Sequence, residues 1–224
     1  MSELGVTDVL IRQTQFEYDH ARRLTTVEFD DGTTPETVSY DYDERGLRTQ
    51  LSFDGKTVTY EYDAKGRLIS MTDWDSHTTT YDYDDANRHR LTTRDNGVTS
   101  AYAHNTAGQL TDIHHKDSMS ATLAQFTYAL NGRGHRTQTN ETVDGVDTTI
   151  AYTYDKLARV LNANTYAGTT PTGTPAKAYA YGFDVAGNRL SESLSLNGAT
   201  PAVTSRTYDN ANQIYGYTYD NNGN

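Results

Sequence analysis

Aromatic and polar residues alternate with a period of two along most of the chain. The stretch YEYDAKGRLISMTD shows one copy, in which Tyr60 and Tyr62 are separated by the charged Glu61. Successive side chains of a β-strand point to opposite faces, so both rings are expected on the same face. The pattern therefore predicts a strand with one aromatic face.

The residues that follow predict a tight turn and a returning strand. Asp63 can accept hydrogen bonds from backbone groups two residues further on, and Gly66 supplies the positive φ that such a turn requires. Arg67 and Leu68 then begin the next strand. Because the two strands are joined by so short a turn, the unit is predicted to be an antiparallel β-hairpin.

The same unit recurs throughout the chain. Its second aromatic position falls at 18, 42, 62, 83, 104, 128, 154, 183, 208 and 219, with His104 replacing the aromatic ring in one degenerate copy. Most spacings are about 20 to 29 residues, which is typical of repeat proteins. The residues predicted to hold structural positions of the repeat are Tyr18, Asp19, Tyr42, Asp43, Gly46, Tyr62, Asp63, Gly66, Arg67, Leu68, Tyr83, Asp84, Tyr128, Gly132, Tyr154, Asp155, Phe183, Asp184, Gly187, Tyr208, Asp209, Tyr219 and Asp220.

These positions lead to three structural expectations. Nearly all ordered residues should be strand or turn, with almost no helix, because no apolar stripe of period 3.6 is present. Gly66 and Gly187 should have positive φ at hairpin tips. The second aromatic rings of neighbouring repeats should stack on one face, at Tyr42, Tyr62, Tyr83, Tyr154 and Phe183.

The recurring YxYDxxGRL motif resembles the YD repeat of the Rhs family. That family includes the shells of bacterial polymorphic toxins, the cocoon subunits of Tc toxins and the teneurin shell. The resemblance implies an all-β fold of antiparallel hairpins in a spiralling sheet, as a segment of a hollow YD-repeat shell or β-solenoid. It also implies a non-enzymatic scaffold that encapsulates or presents a C-terminal toxin cargo. Residues 1–15 are predicted to be a lead-in segment and residues 16–224 the repeat array.

The resemblance also indicates partners that this sequence does not contain. Many Rhs proteins end their shell with a DPxG motif, whereas the four prolines here all follow threonine, at Pro35, Pro171, Pro175 and Pro201. The last repeat is truncated, so we expect the remainder of a longer array and its cargo domain as partners. Neither MSELGVTDVLIRQTQ nor YTYDNNGN resembles a terminal cap, and open β-edges predict a homo-oligomer.

Composition narrows the function classes. The net charge of -11 and pI of about 4.9 disfavour nucleic-acid binding, which needs clustered Lys and Arg. There is no cysteine, which excludes thiol chemistry and disulfides. No segment has the length or apolarity of a membrane span, and the N-terminal residues do not resemble a signal peptide. We expect the parent protein to be bacterial and secreted or at the cell surface.

Two short motifs have residue types that could bind a metal, but each has a simpler explanation. The IHHKD motif places His114 beside His115, but adjacent strand residues point to opposite faces. The DNNGN motif at positions 220–224 resembles the start of a calcium loop, yet a turn explains the same residues. The sequence therefore predicts no catalytic, cofactor-binding or metal-binding residue, and no cofactor.

A binding module is the alternative to a scaffold. Choline-binding and glucan-binding repeats are also aromatic β-hairpins of about 20 residues, and they bind ligands between rings of neighbouring hairpins. Those repeats typically open with Gly-Trp pairs, whereas Trp74 is the single tryptophan here. Weak glycan binding by exposed tyrosines is compatible with either function.

Overall fold

The structure, a computed structural model, describes residues 13–220, and its secondary structure is strand and turn. The described residues up to Val98 belong to one compact unit and those from Thr99 to a second. The strands of the first unit are β1 (Gln13–Tyr18), β2 (Leu24–Asp30), β3 (Glu36–Tyr42), β4 (Arg48–Phe53), β5 (Lys56–Tyr62), β6 (Leu68–Thr72), β7 (Thr78–Tyr83) and β8 (His89–Arg94).

The second unit continues the same pattern. Its strands are β9 (Thr99–His104), β10 (Leu110–Lys116), β11 (Thr122–Leu130), β12 (Arg136–Val143), β13 (Val146–Tyr154), β14 (Val160–Ala167), β15 (Lys177–Phe183), β16 (Arg189–Leu196) and β17 (Ala202–Ser205). Within each unit every strand pairs antiparallel with the next along the chain. The predicted all-β fold of successive hairpins is confirmed. No helix capable of crossing a membrane occurs in residues 13–220.

The two faces of the sheet differ in chemistry. On one face of the first unit, Val58 lies opposite Leu51 and Tyr60 lies opposite Met71. On the other face, Thr59 lies opposite Gln50. Side chains alternate between faces along each strand, so one face is aromatic and aliphatic and the other is polar.

Few side chains in the described part of the chain are buried. Val27 and Val58 are the buried apolar residues, with 7% and 8% of their surface exposed. Thr149 in the second unit is fully buried, and its hydroxyl oxygen lies 2.8 Å from the Gly168 carbonyl oxygen and 3.0 Å from Asn140 Oδ1. With so small an apolar core, much of the stability must come from contacts within the sheet.

A β-bulge follows the turn in each full hairpin of the repeat. Tyr62 lies opposite Leu68, whereas Glu61 lies opposite Ser70, which leaves Ile69 without a partner across the hairpin. The same register shift occurs beside Tyr18, Tyr42, Tyr83, Leu130, Tyr154 and Phe183. A bulge adds one residue to one strand and increases local twist, so each repeat bends at an equivalent position.

Candidate functional site

The turn of the repeat is built around an aspartate. The Asp63 carbonyl accepts a hydrogen bond from Gly66 N at 3.0 Å, and Asp63 N donates to the Arg67 carbonyl at 3.0 Å. Asp63 Oδ1 also accepts from Lys65 N at 2.9 Å and from Arg67 N at 3.0 Å. The carboxylate therefore accepts from two backbone donors of its own turn.

The fourth residue of each turn has left-handed backbone geometry. Gly66 and Gly187 have φ of 80° and 101°, which confirms the positive φ predicted for both. Arg22, Asn87 and Ala158 occupy the equivalent position with φ of 62°, 63° and 66°. Since these are not glycines, the aspartate at the first position is the more constant feature of the turn.

An arginine links each of several turns to the following repeat. Arg67 Nε donates to Asp63 Oδ2 at 2.7 Å, and its guanidinium lies 4.5 Å from the centre of the Tyr83 ring. Arg67 Nη1 also donates to Asn87 Oδ1 at 3.0 Å. We call this arrangement, in which the arginine four residues after the turn aspartate covers the next repeat's ring, an arginine clasp.

Two further clasps repeat this geometry. Arg23 lies 4.7 Å above the Tyr42 ring and donates to the Asp43 carbonyl at 3.0 Å. Arg159 lies 4.6 Å above the Phe183 ring and donates to the Asp184 carbonyl at 3.0 Å. A cation over an aromatic face is attractive, so the clasp joins neighbouring repeats by a cation–π contact and hydrogen bonds.

The hydroxyl of the second tyrosine makes a separate link to the preceding repeat. Tyr62 Oη donates to the Arg48 carbonyl at 2.9 Å, and Arg48 lies five residues after the turn aspartate Asp43. The same five-residue rule holds for Tyr42, Tyr83, Tyr154, Tyr208 and Tyr219, with hydroxyl-to-carbonyl distances between 2.6 and 3.3 Å. Six of the described second-position tyrosines therefore make the same inter-repeat hydrogen bond.

The predicted ring-on-ring stacking is wrong. Among the described residues, Tyr42, Tyr62, Tyr83, Tyr154 and Phe183 make no aromatic contact with one another. The guanidinium of a clasp covers Tyr42, Tyr83 and Phe183 instead. Another ring cannot occupy the space that an arginine fills.

The predicted alignment of the repeat at residues 126–134 is also wrong. Asn131 is the first residue of the turn, because Gly134 N donates to its carbonyl at 2.9 Å. Gly134 has φ of 83°, whereas Gly132 does not have positive φ. Leu130 therefore occupies the second aromatic position, and Tyr128 occupies the first, where Arg136 lies 3.9 Å above its ring.

In several turns the residue four positions after the turn aspartate or asparagine interacts with the turn residue or with a neighbouring ring. Asp155 pairs with Arg159 at 2.6 Å, whereas the neutral Asn131 is followed four residues later by His135, which lies 5.2 Å from Tyr154. Gln109 takes the arginine position in the turn of Asn105, and the two side chains share a hydrogen bond of 2.8 Å. A motif search for Asp and Gly misses these copies, although Asn supplies the same Oδ1 acceptor.

The turn aspartates have lowered pKa values. A hydrogen bond from the backbone N–H of Arg67 lowers the pKa of Asp63. Desolvation opposes this shift, and a hydrogen bond from the Arg67 side chain adds to it. The same direction holds for Asp19, Asp43, Asp84, Asp155 and Asp184. Burial raises the pKa of Tyr62, Tyr154 and Tyr181 above the ordinary value. These shifts mean that folding favours charged aspartates and neutral tyrosines.

We predict that stability falls at both ends of the pH range. A lowered folded-state pKa gives stability that is present above the unfolded value of about 3.9 and is lost as pH falls through the folded value. A raised tyrosine pKa gives stability that is lost as pH rises above about 10. Melting temperatures measured by circular dichroism across this range test both limbs. Asp63→Asn should make the acid limb shallower, and a melting temperature that does not change with acid would contradict the prediction.

The IHHKD motif does not form a metal site in the described residues. His114 Nε2 lies 2.8 Å from Thr122 Oγ1, and His115 Nδ1 lies 2.8 Å from Ser100 Oγ. No group of three His, Asp or Glu side chains in residues 13–220 is arranged to hold a metal. The DNNGN motif lies outside the described residues apart from Asp220.

The repeat geometry matches a known family. A model of the teneurin YD-shell family matches residues 2–161, which is more than half of the chain. This chain belongs to the teneurin YD-shell family. The predicted resemblance to YD-repeat proteins is therefore confirmed.

Several relatives of this YD-shell chain are known. It is 29% identical over 121 residues to the tRNA3(Ser)-specific nuclease WapA of Bacillus spizizenii (strain DSM 15029). This alignment covers 53% of this chain and 5% of that protein. It resembles a chain in the crystal structure of TcdB2-TccC3-Cdc42, with a TM-score of 0.70, 15% identity, and coverage of 88% of this chain and 12% of that one. A Photorhabdus luminescens Tc holotoxin pore with a TccC3 mutation gives a TM-score of 0.50, 14% identity, and coverage of 91% and 15%.

These similarities fix the fold of the YD-shell chain. The solved structures share too little sequence to carry over any residue's role. The chain also spans only a small part of each of these proteins, 5% of the nuclease and 12% and 15% of the structures. Activities of the whole relatives therefore enter only as proposals.

Proposed function

We propose that this chain is a non-enzymatic structural segment of a YD-repeat shell that encapsulates or presents a C-terminal toxin cargo. The proposal rests on the contacts that the polar residues of the turns make with the next repeat. Arg67, for example, is engaged by Asp63 of its own turn and by Tyr83 and Asn87 of the next repeat. Such residues hold one repeat to another, which is the task of a scaffold.

Two further observations support a shell. The family is named for its YD-shell, and a Tc toxin complex containing TcdB2 and TccC3 shares the fold. The sheet also has chemically distinct faces, one aromatic and one polar, and a small buried core. A wall that separates two aqueous spaces needs faces that tolerate water, and tyrosine, threonine and serine meet that need.

Limited proteolysis of the longer polypeptide that contains this chain tests encapsulation. The domain that follows the repeats should resist protease in the intact protein. It should become sensitive once the repeats are opened at a pH below the pKa of the clasp aspartates. A matched sample of the following domain alone is the control. Equal cleavage of the isolated and attached domain would overturn encapsulation, even if the repeats remain folded.

A nuclease assay tests the non-enzymatic part of the proposal. The relative named as a tRNA3(Ser)-specific nuclease aligns with 121 residues of this chain at 29% identity, and the assay therefore uses tRNA as substrate. The chain should leave tRNA intact, as should the Asp63→Asn variant. Cleavage that scales with protein concentration and survives further purification would show an activity in the repeats themselves.

A further inference from the structure

The second unit contains an open cavity of about 440 Å³ beside the turns of Asn131 and Asp155. The pairing of β12 with β13 ends at Gln138 and Ala151, so the strand ends next to these turns are not paired with each other. The volume falls within the range of about 300 to 1,000 Å³ that is typical of ligand sites. The lining includes Asn131, Arg133, His135, Tyr152, Tyr154 and Asp155.

This cavity lies where other repeats have an arginine clasp. In the following repeat, Arg159 fills the equivalent place, because it pairs with Asp155 at 2.6 Å and lies 4.6 Å above the Phe183 ring. In the repeat of the cavity, the equivalent side chain is His135, whose ring centre lies 5.2 Å from that of Tyr154. An imidazole side chain is shorter than that of arginine, so part of the space stays open.

Neutral hydrogen-bond donors of the cavity lack partners within residues 13–220. The Asn131 Oδ1 atom accepts from two backbone N–H groups, but its Nδ2 donates to no described residue. In the corresponding turn of Asn105, by contrast, Nδ2 donates to Gln109 Oε1 at 2.8 Å. The Tyr152 hydroxyl also makes no hydrogen bond, whereas that of Tyr154 donates to a backbone carbonyl at 2.6 Å. The Asn131 amide and the Tyr152 hydroxyl are therefore available to a ligand.

The cavity also contains a positive charge without a counter-charge. Arg133 forms no ion pair within the described part of the chain, and its Nη1 lies 3.5 Å from the Lys156 carbonyl oxygen. Arg45, at the equivalent position of its own turn, pairs with Asp43 at 2.9 Å. The difference follows from Asn131, which is neutral where most turns have an aspartate. The Arg133 guanidinium is therefore available to an anion.

A carboxylate is the anion that suits this site. Among the described residues that line the cavity, Asp155 is the one that is acidic, and Arg159 already pairs with it, so no charge is left to attract a cation. Arginine binds carboxylates and phosphates through two parallel hydrogen bonds. One arginine balances the single charge of a carboxylate, whereas a phosphate group carries a charge of about -1.5 to -2.

The remaining lining suits a hydroxylated ring. The Thr137 hydroxyl donates to the Ala129 carbonyl at 3.2 Å, and its oxygen can still accept a hydrogen bond. The Tyr152 ring is half-buried and makes no ring or cation–π contact within residues 13–220. Tyrosine combines an apolar ring with a polar hydroxyl. A pyranose sugar has the complementary combination of hydroxyl groups and apolar C–H groups.

We propose that this cavity binds an acidic sugar, a pyranose that carries a carboxylate. The Arg133 guanidinium donates two hydrogen bonds to the carboxylate. The Asn131 amide and the Tyr152 hydroxyl donate to ring hydroxyls, and the Tyr152 ring lies against the C–H groups of the sugar. This binding goes beyond a scaffold role and is independent of whether a cargo is enclosed.

Nuclear magnetic resonance titration of the full chain with methyl glucuronide tests the proposal. We expect saturable shifts of the backbone signals of residues 131–135 and 152–155, with a dissociation constant of about 1 mM. Methyl glucoside has the same ring without the carboxylate, and acetate has the carboxylate without the ring. Each should bind about 10-fold more weakly than the glucuronide, since each lacks one part of the recognised group.

Matched variants assign the site, after circular dichroism has shown that each keeps the fold. Arg133→Gln should weaken glucuronide binding by about 10-fold or more and remove the preference over the glucoside. Arg45→Gln is the same substitution at the equivalent turn position, where the arginine already pairs with Asp43, and it should leave the affinity unchanged. Tyr152→Ala should weaken the binding of both sugars.

Three results would overturn the proposal. The first is the absence of saturable shifts when the folded chain is titrated with the glucuronide. The second is an affinity for the glucoside or for acetate that equals the affinity for the glucuronide, because the site would then not recognise an acidic sugar. The third is an unchanged glucuronide affinity of Arg133→Gln, which would place the ligand elsewhere.

Discussion

Asp63→Ala should lower the melting temperature of the chain by several degrees. The substitution removes the acceptor for Lys65 N and Arg67 N and the partner of the Arg67 side chain. It also releases Arg67, which lies over Tyr83 in the next repeat. Because neighbouring repeats stabilise each other, losing one turn weakens two hairpins.

Two companion variants separate the causes of this loss. Asp63→Asn keeps an Oδ1 acceptor for the turn but loses the charge, so its melting temperature should fall between those of the chain and Asp63→Ala. Asp82→Ala removes an aspartate whose ion pair with Arg90 spans 3.6 Å, with both side chains 59% exposed. Exposed ion pairs contribute little, so Asp82→Ala should have almost no effect. Equal melting temperatures for Asp63→Ala and Asp82→Ala would contradict the structural role of the turn.

The sequence was sufficient to predict the hairpins because their signals are local. Tyr60, Tyr62, Asp63 and Gly66 lie within seven residues, and each fixes the backbone of its own neighbourhood. The confirmed all-β fold and the positive φ of Gly66 follow from that local chemistry. Repetition strengthened the prediction, since each copy indicated the same strand and turn.

The clasps were not predicted because their partners are distant in sequence. Arg67 and the Tyr83 ring are separated by a returning strand, a turn and another strand, and nothing in a single motif shows that they meet. The bulge at Ile69, where the register between β5 and β6 shifts, is not indicated by the motif either. The YxYDxxGRL motif does place an arginine four residues after the aspartate, but it does not indicate the ring that this arginine contacts.

The wrong alignment of the repeat near residue 128 shows how amino-acid differences between copies can hide the position of a turn. The motif alone aligns Tyr128 and Gly132 with the second aromatic residue and the turn glycine, because Leu130 and Asn131 lack the expected aromatic ring and charge. The turn forms at Asn131 nevertheless, since its Oδ1 accepts from Arg133 N and His135 N at 3.0 Å each. An acceptor oxygen, not a charge, is what the backbone of the turn requires.

Gly66→Val should destabilise the fold by about 1 kcal/mol or more, because a β-branched residue at φ of 80° is strained. An added Cβ would lie 3.5 Å from Leu47 Cδ1, which is ordinary contact, so crowding is not the cause. For a chain of this size, such a change corresponds to a fall in melting temperature of roughly 2 to 4 °C.

Gly132→Val is the matched control for this prediction. Gly132 lies in an equivalent turn but lacks positive φ, and a Cβ added there would meet no atom within 4 Å. The same substitution should therefore lower the free energy of unfolding much less at position 132 than at position 66. If both variants melt at the same temperature as the unmodified chain, the left-handed residue does not limit the stability of the repeat. If both are equally destabilised, valine acts through something other than φ, and the turn geometry would have to be reassigned.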